Sequence, residues 1–252
     1  MRGITKRYGS IFALRGANIE LRPGEVVGLV GDNGAGKSTL VNILSGVLPL
    51  TSGTILVDGK EVALRTPIDA RKAGIETVYQ DLSLAPDLSI WGNMFLGREE
   101  VVSGPLGKLG WLDRKSMIAK TESGLSQTNI RIASVLSRVG RLSGGQRQAV
   151  AVGRAVSWGS RVLLLDEPTA ALGVEQQHKV GELVKRVASN GIAVLLISHN
   201  IPQVYDICDR VVVLFQGSTV ANLKTSEIEI DDIVGWITGS ALAARKLQGG
   251  HK

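Results

Sequence analysis

The stretch from Gly31 to Thr39, GDNGAGKST, constrains this chain more than any other. It follows an apolar run, Val26 to Val30, and opens a helix-like segment from Lys37 to about Leu48, so strand, loop and helix occur in order. Gly31, Gly36, Lys37 and Ser38 hold the defining places of G-x-x-x-x-G-K-[ST], with Asp32, Asn33, Gly34 and Ala35 between them. Glycines let consecutive backbone N–H groups turn inward around phosphate oxygens, and the helix that follows turns its positive end to the same anion. Lys37 adds a mobile charge for the outer phosphates, and the Ser38 hydroxyl is a ligand for Mg²⁺. A chance glycine-rich turn does not bring both flanking elements and a Lys-Ser pair with it.

With 252 residues the chain has room for one large domain or two small ones. Hydrophobic content of 44% against 21% charged residues is that of a globular protein and excludes disorder. The longest apolar runs, at 162–165, 192–197 and 211–215, fall far short of the ~20 residues of a spanning helix. The N-terminus, MRGITKRYGS, has charge but no apolar core or cleavage site, so no secretion signal is expected. The single cysteine, Cys208, excludes an internal disulfide, suits a reducing cytosol and reads as a buried structural thiol. A net charge of +6 favours anionic company such as nucleotide, acidic lipid or nucleic acid. The cations are scattered, however, and only four Trp, three Tyr and three Phe accompany them, so no aromatic-interleaved nucleic-acid surface is expected.

Residues 4–62 read as short strands separated by turns: loose alternation over 11–21, a turn at Pro23-Gly24, a buried strand at 26–30, and a hairpin in which 54–57 leads into Asp58-Gly59. A short helix (68–73) and a strand ending Thr77-Val78-Tyr79-Gln80 follow. From Asp81 to about Gly140 the pattern changes to short helices broken by Gly and Pro, a helical insertion in an α/β core. LSGGQ (142–146) then opens a helix to about Ser157, followed by strand 162–165, helix 174–190, strand 192–197, helix 202–207, strand 210–215 and a helix at 227–238. Repeated strand–helix–strand units with continuous apolar strands predict a largely parallel sheet covered on both faces, with functional groups gathered at the strands' C-terminal ends.

Asp166 and Glu167 end the apolar strand LLLDE, where an acid needs a cation; Mg²⁺ on a nucleotide suits Asp166, and Glu167 is placed to take a proton from water. His199 ends the next strand and can reach the same phosphates, orienting Glu167 and water. Gln80 can ligate the metal or hold the water without adding charge. Tyr8, between charged neighbours upstream of the loop, is open to two readings: an exposed ring that stacks on a base, or a half-buried strand residue. In LSGGQ, Gly144 and Gly145 bare N–H groups at a helix start beside Ser143 and Gln146, a second anion-binding device in one chain. One phosphate site does not need two such devices, so the second is expected to serve another copy in a head-to-tail dimer.

These residues, in this order, resemble the nucleotide-binding subunit of an ABC transporter along almost the whole chain. GDNGAGKST is similar to the family's Walker A loop, Gln80 to its Q-loop, LSGGQ to its signature motif, LLLDE to Walker B with its catalytic Glu, His199 to its switch histidine and Tyr8 to its adenine-stacking aromatic. Within the family, VYQDLSLAPDLSIWGNMFLGRE, EPTAALGV and ISHN look most like bacterial importers of ribose-, xylose- or fructose-type sugars. The resemblance implies an α/β P-loop NTPase core of mostly parallel sheet, an N-terminal antiparallel β subdomain and an inserted α-helical subdomain. It implies one domain over 1–240 (1–80 and 141–240 core, 81–140 insertion) and a frayed tail, 241–252. It implies ATP and Mg²⁺ as cofactors, with Ser38, Gln80 and Asp166 on the metal and Glu167, His199 and Gln80 in catalysis.

The partners implied are a second copy or a paralogous ATPase subunit, integral membrane permease subunits and, indirectly, an extracytoplasmic sugar-binding protein, at the cytoplasmic face of a bacterial inner membrane. The permease contact is expected around 80–99, with Asp87, Leu88, Trp91 and Phe95 as candidates, although core packing is the simpler reading of the last two. Two departures stand out. Gly173 replaces the usual D-loop Asp, and the Tyr8 strand begins almost at Met1, which points to a clipped start. The rival readings are an ABC-type ATPase acting on nucleic acid or ribosomes, and a transporter subunit for another cargo.

Overall fold

The computed structural model describes residues 1–127, 132–170 and 172–241. Strands β1 (Arg2–Tyr8) and β2 (Ile11–Ala17) precede β3 (Val26–Val30), which leads through the glycine-rich loop into helix α1 (Lys37–Leu44). Next come β4 (Ser52–Thr54), β5 (Leu56–Val57), β6 (Lys60–Glu61), α2 (Pro67–Lys72) and β7 (Ile75–Val78). The middle of the chain is helical, with α3 (Ile90–Phe95), α4 (Pro105–Lys108), α5 (Arg114–Gln127) and α6 (Gly144–Val156). Alternation then resumes: β8 (Val162–Asp166), α7 (Val174–Ser189), β9 (Ala193–Ile197), α8 (Ile201–Ile207), β10 (Arg210–Phe215), β11 (Ser218–Lys224) and α9 (Ile230–Thr238).

The central sheet has the order β11-β10-β3-β9-β8-β7, parallel except for the β10–β11 hairpin. Its inner strands β3, β8, β9 and β10 are almost wholly apolar because both faces are covered, and their side chains divide by period two. Val26, Leu163, Leu165, Val194, Leu196, Val211 and Val213 join a core shared with α6, α7, α8 and α9. Val27, Leu29, Leu164, Leu195, Ile197, Val212 and Leu214 join a second core with α1 and the antiparallel sheet β2-β1-β4. The helical region packs about a third core, in which Ile90, Met94, Phe95 and Met117 meet Leu142 and Val150. Helix α6 also supplies Ala151, Val152 and Ala155 to the sheet's core, so it joins the helical layer to the α/β body.

Four features depart from the sequence expectations. The hairpin turns at Asp58-Gly59, both at positive φ as a type I′ turn requires, but it joins only β5 and β6; Thr54 belongs to β4, which pairs with β1. Helix α1 stops at Leu44 rather than Leu48, capped by Ser45 and turned by Gly46 at φ 73°. Strand β7 ends at Val78, so Gln80 stands in the turn beyond it. The edge strand β11 was not expected, because STVANLK lacks an apolar face strong enough to declare itself. Of the expected tail, residues 242–252 lie outside the described residues, as does Ala171 of the D-loop segment.

Candidate functional site

Because β7, β8, β9 and β3 are parallel neighbours, their C-terminal ends share one edge of the sheet. Leu29 pairs with Ile197, and Ile197 with Asp166, which brings the glycine loop, Asp166-Glu167 and Ser198-His199 into adjacent rows. Gln80 leaves β7 beside β8, in the same direction. Sheet register thus gathers residues that are more than a hundred positions apart in the chain.

The loop at the end of β3 places Gly31, Gly34 and Gly36 at φ 154°, 79° and 105°. Gly31 and Gly36 are pressed against backbone: an added Cβ would lie 2.2 Å from Leu214 O and 2.8 Å from Ala13 O respectively. Gly36 is the N-cap of α1 and offers no side-chain cap, so the first-turn N–H groups are donors for an external anion. Lys37 Nζ donates to the carbonyls of Gly31 (2.7 Å) and Asp32 (3.0 Å), folded over its own loop. Burial lowers the Lys37 pKa, while Glu167, Asp32 and Asp166 oppose the shift. Uncapped N–H donors and a half-buried ammonium fit the phosphates of a nucleotide.

Burial and the neighbouring Glu167 raise the Asp166 pKa, and Lys37 only partly offsets them. A carboxylate in that position calls for a cation. Among the described residues no cluster of three or more His, Cys, Asp or Glu forms a metal cage. The hard oxygens present, Ser38 hydroxyl and Asp166 carboxylate, fit Mg²⁺ shared with phosphate oxygens rather than an ion held by protein alone. Glu167 lies just past β8 at φ 51°, an uncommon conformation for a side-chain-bearing residue, with its N–H donating to Ile197 O at 2.9 Å. His199 Nδ1 stands 2.9 Å from Glu167 Oε2; the imidazole is exposed and the carboxylate mostly buried.

The signature segment lies elsewhere in the chain's surface. Ser143 is the N-cap of α6: its Oγ accepts from Gln146 N (3.3 Å), and Gln146 Oε1 accepts from Ser143 N (3.0 Å). This reciprocal capping box uses the Ser143 oxygen as acceptor and leaves its hydroxyl proton for a further partner. The pattern S-x-x-Q was legible, yet reading the segment only as an anion site passed over it. Gly144 and Gly145 lie against Leu172 and Gln176, whereas the P-loop glycines lie against Ala13, Leu14 and Leu214, so the two devices share no surroundings. Tyr8 is 49% exposed near the tip of the β1–β2 hairpin, and Lys6 Nζ lies 5.2 Å from its ring centroid.

The sequence model of the ABC transporter family matches residues 14–170. The chain is 44% identical to a fructose import ATP-binding protein of Rhizobium meliloti, over 95% of this chain and 93% of that one. This chain belongs to the ABC transporter family. It is also 44% identical to a xylose/arabinose import ATP-binding protein of Sulfolobus acidocaldarius, over 96% of this chain and 94% of that one. It is 39% identical to a ribose import ATP-binding protein of Escherichia coli O157:H7, covering 96% of this chain but only 47% of that longer one. A nucleotide-free ABC transporter cassette superposes with TM-score 0.79 at 27% identity, covering 93% of both chains. A bacterial ABC transporter cassette solved as a dimer superposes with TM-score 0.71 at 25% identity, over 89% of this chain and 97% of that one.

The ABC cassette fold is therefore present as expected: a mostly parallel sheet, an N-terminal antiparallel β layer and a helical insert, in an ABC transporter ATPase. Where the sheet edge at β7 meets the helical layer, this cassette has a cavity of about 260 Å³ walled by Tyr79, Leu82, Met94, Arg98, Arg154 and Trp158. Arg98 pairs with Glu76 at 2.5 Å and lies over the Trp158 ring, while Arg154 donates to the Leu82 and Ser83 carbonyls. Phe95 is buried and meets Trp158 edge-on at 5.2 Å, and Trp91 packs on the same core, so both are structural. Asp87 and Leu88 are exposed. The arginines of this cavity escaped the sequence reading because Arg98 and Arg154 are 56 positions apart.

Proposed function

We propose that this ABC ATPase drives import of a simple sugar through membrane permease subunits, from the cytoplasmic face of the inner membrane. Near-full-length identity of 44% to two sugar import ATP-binding proteins is the observation that carries the cargo. ATP is the substrate whose γ-phosphoryl group is transferred, and a bound Mg²⁺ would supply charge neutralisation there. Gly31 to Thr39, with Lys37 among them, hold the phosphates, Tyr8 stacks on the base, and Ser38, Asp166 and Gln80 would hold the metal. Glu167 takes the proton of the attacking water, and His199 orients that carboxylate, a role supported by their 2.9 Å approach.

A single chain carries half of each site in this reading. Ser143, Gly144, Gly145 and Gln146 of a second copy, or of a paralogous subunit, close over the phosphates, with the free Ser143 hydroxyl proton as donor. Closure of two copies around ATP and release after hydrolysis move the permease, which contacts this chain around residues 80–99, and a sugar-binding protein delivers cargo from outside. No nucleic-acid partner is part of this reading.

The test is uptake in proteoliposomes that hold this chain and the permease subunits encoded beside it. ATP-dependent accumulation of fructose, xylose or ribose is expected. ATP hydrolysis with transport of some other solute and none of these sugars would sink the cargo assignment. Hydrolysis at full specific rate at all protein dilutions would sink the shared-site arrangement.

A further inference from the structure

Between α3 and α5 the chain makes an excursion, residues 101–112, whose apolar side chains face solvent. Val101, Leu106, Leu109, Trp111 and Leu112 are exposed by 50, 49, 75, 61 and 39%. The excursion is built rather than slack. A bridge pairs Val101 with Leu112 at its base, Val102 N donates to Trp111 O (2.9 Å), and Trp111 N donates to Leu106 O (3.2 Å). Gly107 lets one limb close on the other, since a Cβ there would stand 1.9 Å from Val102 O. An ordered loop that spends its backbone bonds on presenting five large apolar groups marks an interaction surface.

The charges around it have a sign. Lys108, Arg114 and Lys115 are exposed on and beside the excursion. The acids nearby have internal partners: Glu100 holds Lys120 (2.5 Å) and Ser116 (3.0 Å), Asp113 accepts from Ser116 N (2.9 Å), and exposed Glu99 accepts from Gly97 N (3.0 Å). The arginine-lined cavity at β7 takes no wall from residues 101–112, so the excursion is a surface separate from it.

We propose that this tip is a membrane-surface contact: Leu106, Leu109 and Trp111 enter the interfacial layer of an anionic bilayer, and Lys108, Arg114 and Lys115 meet its headgroup phosphates. Trp and Leu at a tip flanked by Lys and Arg suit that layer, where one end of the contact is apolar and the other wet. The placement rests on the reading of the chain as a membrane-peripheral ATPase. It gives the helical layer a lipid contact independent of the permease.

The experiment is sedimentation of the purified full chain with vesicles of phosphatidylcholine alone and of phosphatidylcholine mixed with phosphatidylglycerol, with ATP hydrolysis measured on the same preparations. Binding is expected on the mixed vesicles, weakened by salt, with a blue shift of emission from Trp111, the exposed member of the chain's four Trp. The double variant L109S/W111S should lower partitioning about tenfold or more at unchanged ATPase rate. If that variant misfolds, K108E/K115E replaces it and should abolish the preference for phosphatidylglycerol. A wild-type chain that stays in the supernatant, or variants that bind as it does, would overturn the proposal. So would loss of permease co-purification in L109S/W111S without any vesicle binding by the wild type, which would assign the tip to a protein partner. Vesicle binding by a chain without ATPase activity would overturn the enzymatic reading and leave the lipid contact standing.

Discussion

His199 Nδ1 and Glu167 Oε2 approach to 2.9 Å from the ends of adjacent parallel strands. The carboxylate is held by its backbone, since Glu167 N donates to Ile197 O on the histidine's own strand. Glu167→Gln keeps the shape and removes the base, so ATP binding should persist while turnover falls by about 10²–10⁴. Gel filtration with ATP should show the variant arrested as a dimer. Normal hydrolysis by Glu167→Gln would mean that another group takes the proton.

Two residues past Glu167 and four past His199, a second link joins the segments that follow the same two strands. Thr169 Oγ1 donates to Gln203 Oε1 at 2.5 Å, both groups buried, and Gln203 Nε2 has no partner among the described residues. Gln203 therefore positions the His199 loop against the Glu167 loop. Gln203→Leu should lower the rate of hydrolysis about tenfold with ATP affinity little changed, and cost about 1–3 kcal/mol of stability for the stranded hydroxyl. Gln203→Glu keeps the acceptor and should restore most of the rate. If steady-state kinetics find the Leu and Glu variants equally slow, the link has no part in positioning.

The capping box at α6 separates two jobs of the signature segment. Gln146→Ala removes half of the box and should lower the melting temperature of the nucleotide-free chain, in line with the ~0.5–2 kcal/mol value of a cap. Ser143→Gly is tolerated as an N-cap at a cost of about a few tenths of a kcal/mol. It should nevertheless weaken ATP-driven dimerisation, because the hydroxyl proton is gone. Equal loss of dimer in both variants, in proportion to their melting temperatures, would reduce the motif to a helix start.

Acid sensitivity should centre on Glu25 and Arg210. Arg210 Nε reaches Glu25 Oε1 at 2.7 Å, and Arg210 also donates to Asn222 Oδ1 and Glu20 O at 2.7 Å each. Burial works to raise the Glu25 pKa, but the hydrogen bonds and charge of Arg210 outweigh it and hold the carboxyl below its usual value. A carboxyl depressed in the folded state contributes stability above its unfolded pKa and loses it as pH falls through the folded one. Glu25→Ala should therefore cost about 3 kcal/mol at neutral pH, where the buried Arg210 guanidinium is left without its counter-charge. In denaturant titrations the gap to wild type should narrow as pH drops below the ordinary glutamate range. A constant gap across that range would remove the pair from the account.

Much of this molecule was legible because its signals are local. The run Val26 to Val30, the glycine loop and the Lys-Ser start of α1 are contiguous, and period-two burial of the parallel strands follows from continuous apolar runs. Strand β11 was not legible, since it is an edge strand of mixed character whose pairing is set by the positive-φ turn Gln216-Gly217 and by β10. Core packing was the simpler sequence reading of Phe95 and not of Leu88, and the structure packs Phe95 edge-on against Trp158 and leaves Leu88 exposed; the Trp158 partner itself was not legible, being 63 positions away.

The amino-acid sequence by itself determined the phosphate loop, the acids and histidine at strand ends, the second glycine device and the family, because each is carried by residue type at short spacing. Tertiary structure alone decided which of these residues meet. The approach of His199 to Glu167, the Thr169–Gln203 link and the separate surroundings of the two glycine devices depend on strand order and register. Those are set by burial on two faces of one sheet, a balance summed over residues far apart in the chain, which no short stretch of sequence contains.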